Sequence, residues 1–298
     1  MERTLTNAIS GNRLGLLLGA VLCTVFTASS CQSPSLAAAR LYLAREEYPR
    51  AREQLLLALS EVPDDPEARY LLGRVCAHVG DYACMDSCFR QSAVLSPRFA
   101  PAMDSLRHHY WALEQNTGAR LASGSTPDYP AALRAFHRAV VIDPGHLESW
   151  RNAAQVYRQL DSLQAAAAIY TQVLTAAPED TASLAALGFL HLEQGADTAA
   201  VQILEKLIRL APTDARARVR LAGAYEELGR PAEAEAALRA ARLADPRYPL
   251  AAYNLGNLLW RQGRHEAARE AYEQAATLAP DDGDTRYNLA VACLATGR

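Results

Sequence analysis

Prolines recur along this chain at a fixed interval of 34 residues, and no other feature limits its possible folds as strongly. They stand at Pro144, Pro178, Pro212, Pro246 and Pro280. Glycines keep the same interval at Gly195, Gly229, Gly263 and Gly297. Proline and glycine both end helices, so two such residue types with one period predict a tandem array of short, similar units.

Each unit has the pattern of two short helices joined by a turn. In the unit that begins at Pro249, the small residues Gly256 and Ala268 stand at positions 8 and 20, where they let antiparallel helices approach closely. Gly263 at position 15 suits the left-handed backbone that ends the first helix, and Pro280 at position 32 cannot continue the second. Position 24 carries a bulky core residue in most units: Phe89, Phe136, Tyr170, Leu204, Leu238 and Tyr272. Such a unit buries its apolar face only by stacking on its neighbours.

The order of these residues resembles the tetratricopeptide repeat. Leu255-Gly256, Ala268, Tyr272, Ala275 and Pro280 stand where that family has its Leu-Gly, Ala, Phe, Ala and Pro positions. The same frame gives units that begin at Gln32, Pro66, Ala100, Leu147, Thr181, Ala215, Pro249 and Gly283. The resemblance implies an all-α fold over residues 31–298, a right-handed superhelical solenoid of about seven full repeats and a final half repeat.

The third unit is longer than the others by 13 residues, because Pro97 and Pro144 are 47 residues apart instead of 34. The segment Asn116–Asp128 is rich in Gly, Ser and Thr, which predicts an enlarged turn near residues 114–128, between a first helix that ends near Leu113 and a second that begins near Tyr129. A tolerated surface insertion is the favoured interpretation, and a loop that reaches a partner is the alternative.

The N-terminus has the pattern of an export signal. Leu14–Ala28 is apolar and uncharged, but it is shorter than the roughly 20 residues that span a bilayer. The sequence Ala-Ser-Ser-Cys that follows resembles the lipobox of bacterial lipoproteins, which implies removal of residues 1–30 and lipidation of Cys31. Conventional signal-peptidase cleavage after Ser30 and an uncleaved membrane anchor are the alternatives.

The residue after the cysteine indicates a cellular location, and the net charge bears on nucleic-acid binding. Gln32 implies, by the same resemblance, an outer-membrane lipoprotein that faces the periplasm of a Gram-negative cell, and otherwise the chain would be periplasmic or secreted. The formal net charge is -3 and Lys206 is the only lysine, so we expect no nucleic-acid partner.

Three cysteines of the second unit, Cys76, Cys84 and Cys88, are candidates for a disulfide. Export favours a bond from Cys76 to either of the others, whereas residues four apart on one helix have Cβ atoms about 5 to 6 Å apart, too far for a disulfide. Buried free thiols are the alternative. The spacing is not that of a zinc site and no catalytic or phosphate-binding motif occurs, so we expect no metal, no cofactor and no enzymatic activity.

In the tetratricopeptide family the first helices line a concave groove, into which positions 2, 5, 9, 12 and 13 point. Carried over to this sequence, these positions are Arg151, Gln155, Arg158 and Gln159 in the fourth unit and Tyr253, Asn257, Trp260 and Arg261 in the seventh, with His108 and Trp111 in the third and Tyr287 in the last. Exposed aromatic residues are enriched where partners bind, which favours partner contact. Packing between units is the alternative for Tyr253 and Trp260.

Asparagine occupies position 6 in three units, at Asn152, Asn254 and Asn288. This resembles the asparagine ladder of protein O-linked N-acetylglucosamine transferases, which implies that the amides hold the backbone of an extended peptide. Ala186 and Arg220 interrupt the ladder. The carboxylate clamp of chaperone-binding repeats is not predicted, because its lysines are absent from these units.

The sequence therefore predicts a non-catalytic interaction scaffold in the bacterial cell envelope, with a lipid anchor and a protein or peptide partner in its groove. The alternative is the substrate-recruiting arm of a longer, glycosyltransferase-like enzyme, because the last unit has a first helix only. Leu289, Val291 and Leu294 make that helix fairly apolar, which also predicts a homodimer through the C-terminal end.

Overall fold

The computed structural model describes residues 33–297, and all regular secondary structure in this part of the chain is helical. The α-helices are α1 (Pro34–Ala44), α2 (Tyr48–Glu61), α3 (Pro66–His78), α4 (Tyr82–Leu95), α5 (Ala100–Ser123), α6 (Tyr129–Ile142), α7 (Leu147–Gln159), α8 (Leu163–Ala176), α9 (Thr181–Glu193), α10 (Asp197–Leu210), α11 (Ala215–Glu227), α12 (Pro231–Ala244), α13 (Pro249–Arg261), α14 (His265–Leu278) and α15 (Gly283–Thr296). The predicted all-α repeat fold is confirmed. The predicted signal and Cys31 lie outside the described residues.

Helix ends follow the repeated glycines and prolines. Gly195, Gly229 and Gly263 have φ of +67°, +67° and +73°, the left-handed backbone that ends α9, α11 and α13. In the first and fourth units, Glu46 and Asp161 take the same conformation at position 15, with φ of 59° and 55°. Helices α6, α8, α10, α12 and α14 each end two residues before one of the repeated prolines. The 34-residue period is therefore a period of helix ends.

Each hairpin is closed by contact between positions 8 and 24. A Cβ placed on Gly256 would lie 2.6 Å from the ring of Tyr272, and one placed on Gly188 would lie 2.8 Å from Leu204. The position-24 side chains are all buried, with exposed fractions of 4% or less: Phe89, Phe136, Tyr170, Leu204, Leu238 and Tyr272. Burial of one such side chain contributes roughly 1.5–3 kcal/mol to the free energy of unfolding. The position-24 residue is therefore a main core residue of each hairpin.

The chain divides into two compact parts, and the boundary falls between Tyr110 and Trp111, within α5. In the first part, α1 packs on α2, α2 on α3 and α3 on α4. In the second part, each helix from α6 to α15 packs on the next along the chain. Both parts are thus made of the same helical hairpins, each with its own buried core.

The prediction of an enlarged turn near residues 114–128 is wrong. Helix α5 continues to Ser123, and only residues 124–128 connect it to α6. The glycine that indicated a turn is a packing residue, because a Cβ on Gly118 would lie 2.6 Å from the ring of Phe136. Gly118 therefore has the role that Gly256 has in the seventh unit. Composition alone did not distinguish a helix-contact glycine from a turn glycine.

This contact also corrects the register of the third unit. Gly118 precedes Phe136 by 18 residues, whereas Gly256 precedes Tyr272 by 16, so two of the 13 additional residues lie in the turn and the other 11 precede the hairpin. Those 11 residues form the first half of α5, where Arg107 makes a 2.9 Å salt bridge to Asp86 on α4. The first helix of this hairpin is therefore the second half of α5, and Trp111 stands at position 1.

Candidate partner-binding face

The first helices of successive hairpins in the second part lie side by side, since α9 contacts α11 and α11 contacts α13. We use the name first-helix face for the surface of these first helices that carries positions 2, 5, 6, 9, 12 and 13 of each unit. It includes the asparagines predicted at position 6, and the corrected register adds one that the sequence frame missed, Asn116, which is exposed on α5. Position 6 is therefore asparagine at Asn116, Asn152, Asn254 and Asn288, with Ala186 and Arg220 between the two pairs.

A hydrogen-bonded group of two asparagines and two tyrosines lies at one end of this face. The Oδ1 atom of Asn257 accepts from the Tyr272 hydroxyl at 2.7 Å and from Nδ2 of Asn288 at 3.3 Å. The same Nδ2 donates to the Tyr253 hydroxyl at 3.2 Å. Burial and the neighbouring Tyr253 raise the pKa of Tyr272 to about 12, so its hydroxyl stays protonated and is a donor at neutral pH.

This arrangement leaves two polar groups without a hydrogen-bond partner among residues 33–297. Because Oδ1 of Asn257 is the acceptor, its Nδ2 has no acceptor among residues 33–297, and Oδ1 of Asn288 has no donor there. Both asparagines are half-buried and line a pocket of about 340 Å³ with Trp260 and Arg261. One N–H donor beside one carbonyl acceptor is the complement of a peptide unit.

The other predicted residues of α13 and α15 surround this group. Asn254 lines a neighbouring pocket of about 220 Å³ with Asn257 and Arg261. Arg261 is ion-paired with Glu226 of α11. The Trp260 ring lies 4.3 Å from that of His265, so packing accounts for part of its surface, and the remainder faces the pocket. Tyr287 is 70% exposed.

The predicted residues of α7 fall into two groups. Arg151 forms a 2.9 Å salt bridge to Asp180, whose side chain also accepts from the backbone N of Ser183 and so caps α9. Burial of Asp180 acts to raise its pKa, but hydrogen bonds from Ser183 and the Arg151 guanidinium lower the pKa overall. Arg151 therefore holds α7 against α9. Asn152 is half-buried, and Gln159 is exposed at the end of α7.

Gln155 and Arg158 line a pocket of about 330 Å³ on the first-helix face. The sequence frame did not single out its other main residues, Phe189 of α9 and Arg220 of α11. Phe189 stands at position 9 of its unit, as Gln155 and Asn257 do in theirs. The rule that selected Asn257 would therefore have found Phe189 if it had been applied to the fifth unit.

Trp111 and His108 do not belong to the groove as the sequence frame had them. Trp111 is only 9% exposed, and its indole Nε1 donates to the Ser149 hydroxyl at 2.8 Å. That hydroxyl donates in turn to Oε1 of Gln115 at 2.9 Å. His108 lies in the first half of α5, outside the hairpin. The error follows from the misplaced insertion, which shifted the register of this unit.

Two of the three clustered cysteines are joined: Cys76 and Cys84 form a disulfide with Cα atoms 5.8 Å apart. The free thiol of Cys88 is buried, and its Sγ lies 4.0 Å from that of Cys84. Burial raises the pKa of Cys88, which keeps the thiol protonated. The three sulfur atoms lie within 4.8 Å of one another, but the disulfide uses two of them.

Comparison with family models assigns these hairpins. A model described as tetratricopeptide repeat matches residues 36–83, 127–181, 219–283 and 253–298, and a second with the same description matches residues 158–216. The chain belongs to the tetratricopeptide repeat family. No helix among residues 33–297 has the length and apolar character needed to span a membrane.

Relatives of this tetratricopeptide protein differ widely in size. The chain is 28% identical over 265 residues to cellulose synthase 2 operon protein C of Komagataeibacter xylinus, which covers 86% of this chain and 20% of the relative. It is 30% identical over 103 residues to the peroxisomal targeting signal receptor of Pichia angusta, over 35% of this chain and 18% of the receptor. The chain thus spans about a fifth of the length of the curated relatives it matches.

Solved structures share the fold. MamA from Desulfovibrio magneticus RS-1 superposes with a TM-score of 0.53 and 22% identity, over 58% of this chain and 97% of that one. PilF of Pseudomonas aeruginosa superposes with a TM-score of 0.52 and 20% identity, over 65% of this chain and 91% of that one. At these identities the comparisons show the tetratricopeptide fold alone.

Proposed function

We propose that this chain is a non-catalytic scaffold of the bacterial cell envelope that binds an extended segment of a partner protein along its first-helix face. Tetratricopeptide repeats are typical of protein–protein interaction scaffolds. The observation that carries the proposal is the pair of unused amide groups on Asn257 and Asn288, a donor and an acceptor beside one pocket. Such a pair binds peptide backbone without regard to the partner's side chains.

A displayed library of random dodecapeptides, selected on the purified full chain, tests this proposal. Asn257→Asp keeps the Oδ1 acceptor for Tyr272 and Asn288 but removes the free Nδ2 donor and adds a negative charge. We expect this change to weaken the selected peptides about tenfold, as for loss of one hydrogen bond in a partly buried site. Fluorescence anisotropy of labelled peptides measures the affinity.

Gln202→Glu is the matched control, since it makes the same change from amide to carboxylate on an exposed residue of α10, a second helix. We expect it to leave affinity unchanged. Failure to select any peptide, or an equal loss in both variants, would count against the first-helix face as the binding surface. Circular dichroism of both variants verifies that the helices are retained.

The same proposal includes export and a lipid anchor at Cys31. It is supported by the apolar run Leu14–Ala28 and the Ala-Ser-Ser-Cys sequence. Cells that express the chain are grown with a clickable palmitate analogue, and we expect label on the wild type and none on Cys31→Ala. Equal label on both proteins, or none on either, would remove the lipid anchor and leave a periplasmic or secreted form.

A second candidate is a role as the substrate-recruiting arm of a longer, glycosyltransferase-like enzyme. It is favoured by the relative named for a cellulose synthase operon, of which this chain matches one fifth. A partner from a polysaccharide-synthesis complex, co-purified with the wild type but not with Asn257→Asp, would support this candidate.

A homodimer through α15 stays a prediction, and analytical ultracentrifugation of Leu294→Ser against wild type tests it, since Leu294 is 82% exposed.

A further inference from the structure

The pocket between α7, α9 and α11 has a chemical character unlike the rest of the first-helix face. It has a volume of about 330 Å³ and lies across three successive hairpins of the second part. The small side chains of Ala182, Ala185 and Ala186, at positions 2, 5 and 6 of α9, line it. The same positions of α13 carry Leu250, Tyr253 and Asn254. Alanine at three face positions of one helix therefore makes the space.

Two arginines flank the aromatic ring in this pocket. The Phe189 ring centroid lies 4.7 Å from the guanidinium carbon of Arg220 and 5.8 Å from that of Arg158. Phe189 and both arginines are half-buried, so the charges are held against the ring and are partly shielded from water. A guanidinium fixed in this way loses little further side-chain freedom when it binds a ligand.

The positive charge of this pocket is compensated at only one of its two arginines. Arg158 forms a long salt bridge of 3.5 Å to Glu193, whereas Arg220 has no carboxylate within salt-bridge distance among residues 33–297. Arg151 and Arg261, by contrast, are closely paired with Asp180 and Glu226. The whole chain has a formal net charge of -3, so this is a local feature and not a general property of the surface.

The pocket also accounts for the interruption of the asparagine ladder. Ala186 and Arg220 are the two residues that replace asparagine at position 6, and both line the pocket. Asn116 and Asn152 precede them along the face, and Asn254 and Asn288 follow. Amides that hold backbone on either side of a positively charged pocket would place one side chain of an extended segment into it.

We propose that this pocket binds the carboxylate of a glutamate or aspartate side chain within the extended partner segment. The two guanidiniums would hold the carboxylate, while the Phe189 ring and the alanine methyl groups contact its CH₂ stem. This inference rests on the proposed function, because it names the partner side chain that the first-helix face selects. It predicts an acidic residue at one fixed place among peptides of otherwise varied sequence.

The dodecapeptide library tests it in two formats, one with a free C-terminus and one continued by a neutral linker. We expect both formats to enrich one acidic position. In the best peptide, replacement of that residue by Gln lowers affinity about tenfold, and Arg220→Ala on the full chain lowers it by a similar factor. The two changes together should cost little more than either alone, because they remove the same interaction.

Two further variants separate charge from shape and from fold. Ala186→Leu fills the pocket without changing charge, and we expect it to weaken the acidic peptide as well. Arg209→Ala removes an exposed arginine of α10 that does not line this pocket, and we expect no change. Circular dichroism confirms that each variant is folded.

The results that would contradict the pocket inference differ from those that would contradict the proposed function. Peptides that bind without an acidic position, or that keep their affinity in Arg220→Ala, would overturn the pocket inference and leave the proposed function standing. Enrichment only in the format with a free C-terminus would overturn it in favour of the main-chain carboxylate. If neither format yields any peptide, both the inference and the proposed function are wrong.

Discussion

The orientations of individual side chains on the first-helix face are fixed by core residues that pack beneath them. Tyr272 is 2% exposed and fills position 24, yet its hydroxyl donates to Oδ1 of Asn257 at 2.7 Å and fixes which amide atom of Asn257 is left without a hydrogen-bond partner in the described part of the chain. The Tyr272 ring packs so closely against Gly256 that there is no space for a Cβ atom on residue 256. A core packing residue therefore sets the orientation of a side chain on the candidate binding face.

Two glycine substitutions measure how strictly this contact is packed. In Gly223→Ala of α11 the new Cβ meets nothing within 4 Å, so we expect the gain of about 0.5–1 kcal/mol typical of removing glycine from a helix interior. In Gly256→Ala of α13 the Cβ would lie 2.6 Å from the Tyr272 ring, and we expect a net loss of about 1–2 kcal/mol. Urea unfolding measures both free energies. Equal stability of the two variants would mean that the Tyr272 ring can move aside.

At the scale of the helices, the period predicted most of the fold. It placed the repeated helix ends because glycine and proline act on the backbone locally, and it selected the buried position-24 residues because the frame is regular. It failed at α5, where Gly118 and a Ser- and Thr-rich composition indicated a turn, but Gly118 lies inside the helix and packs against the Phe136 ring. A tertiary contact of this kind is invisible to local sequence rules.

The candidate binding face was predictable where one residue type repeated at one position, and less so elsewhere. Asn254 and Asn288 were found by their register, whereas Asn116 was hidden by the shifted frame. Phe189 and Arg220 differ in residue type and in repeat position, so no repeated pattern connects them. Their pocket forms only because α7, α9 and α11 approach one another in three dimensions. The directions of the Asn257 and Asn288 amides depend on hydrogen bonds to tyrosines that no spacing indicates.

Proline substitutions test the helical assignment of the second half of α5, where the sequence predicted an enlarged turn. Ala119 is exposed in the interior of α5, and Ala119→Pro removes a helix hydrogen bond, so we expect a loss of about 3 kcal/mol. Ser125→Pro changes a residue in the short connection after α5, and we expect less than about 1 kcal/mol. Chemical unfolding followed by circular dichroism gives both values. Tolerance of Ala119→Pro would restore the enlarged turn.

At the scale of the whole molecule, the two compact parts differ in content. The first contains the disulfide between Cys76 and Cys84. The second contains all four position-6 asparagines and the positively charged pocket. The three tryptophans, Trp111, Trp150 and Trp260, also lie in the second part. Tryptophan fluorescence therefore reports on the second part alone, whereas helical circular dichroism reports on both.

This difference makes the independence of the two parts measurable. Phe89 is 1% exposed in the core of the first part, and Phe89→Ala should destabilise that part by about 3–5 kcal/mol. Because each part has its own core, we expect circular dichroism to show an early transition while the fluorescence midpoint stays at its wild-type denaturant concentration. Leu204→Ala, in the core of the second part, should shift the fluorescence midpoint instead. If Phe89→Ala shifts both signals together, the boundary in α5 transmits unfolding and the array behaves as one cooperative unit.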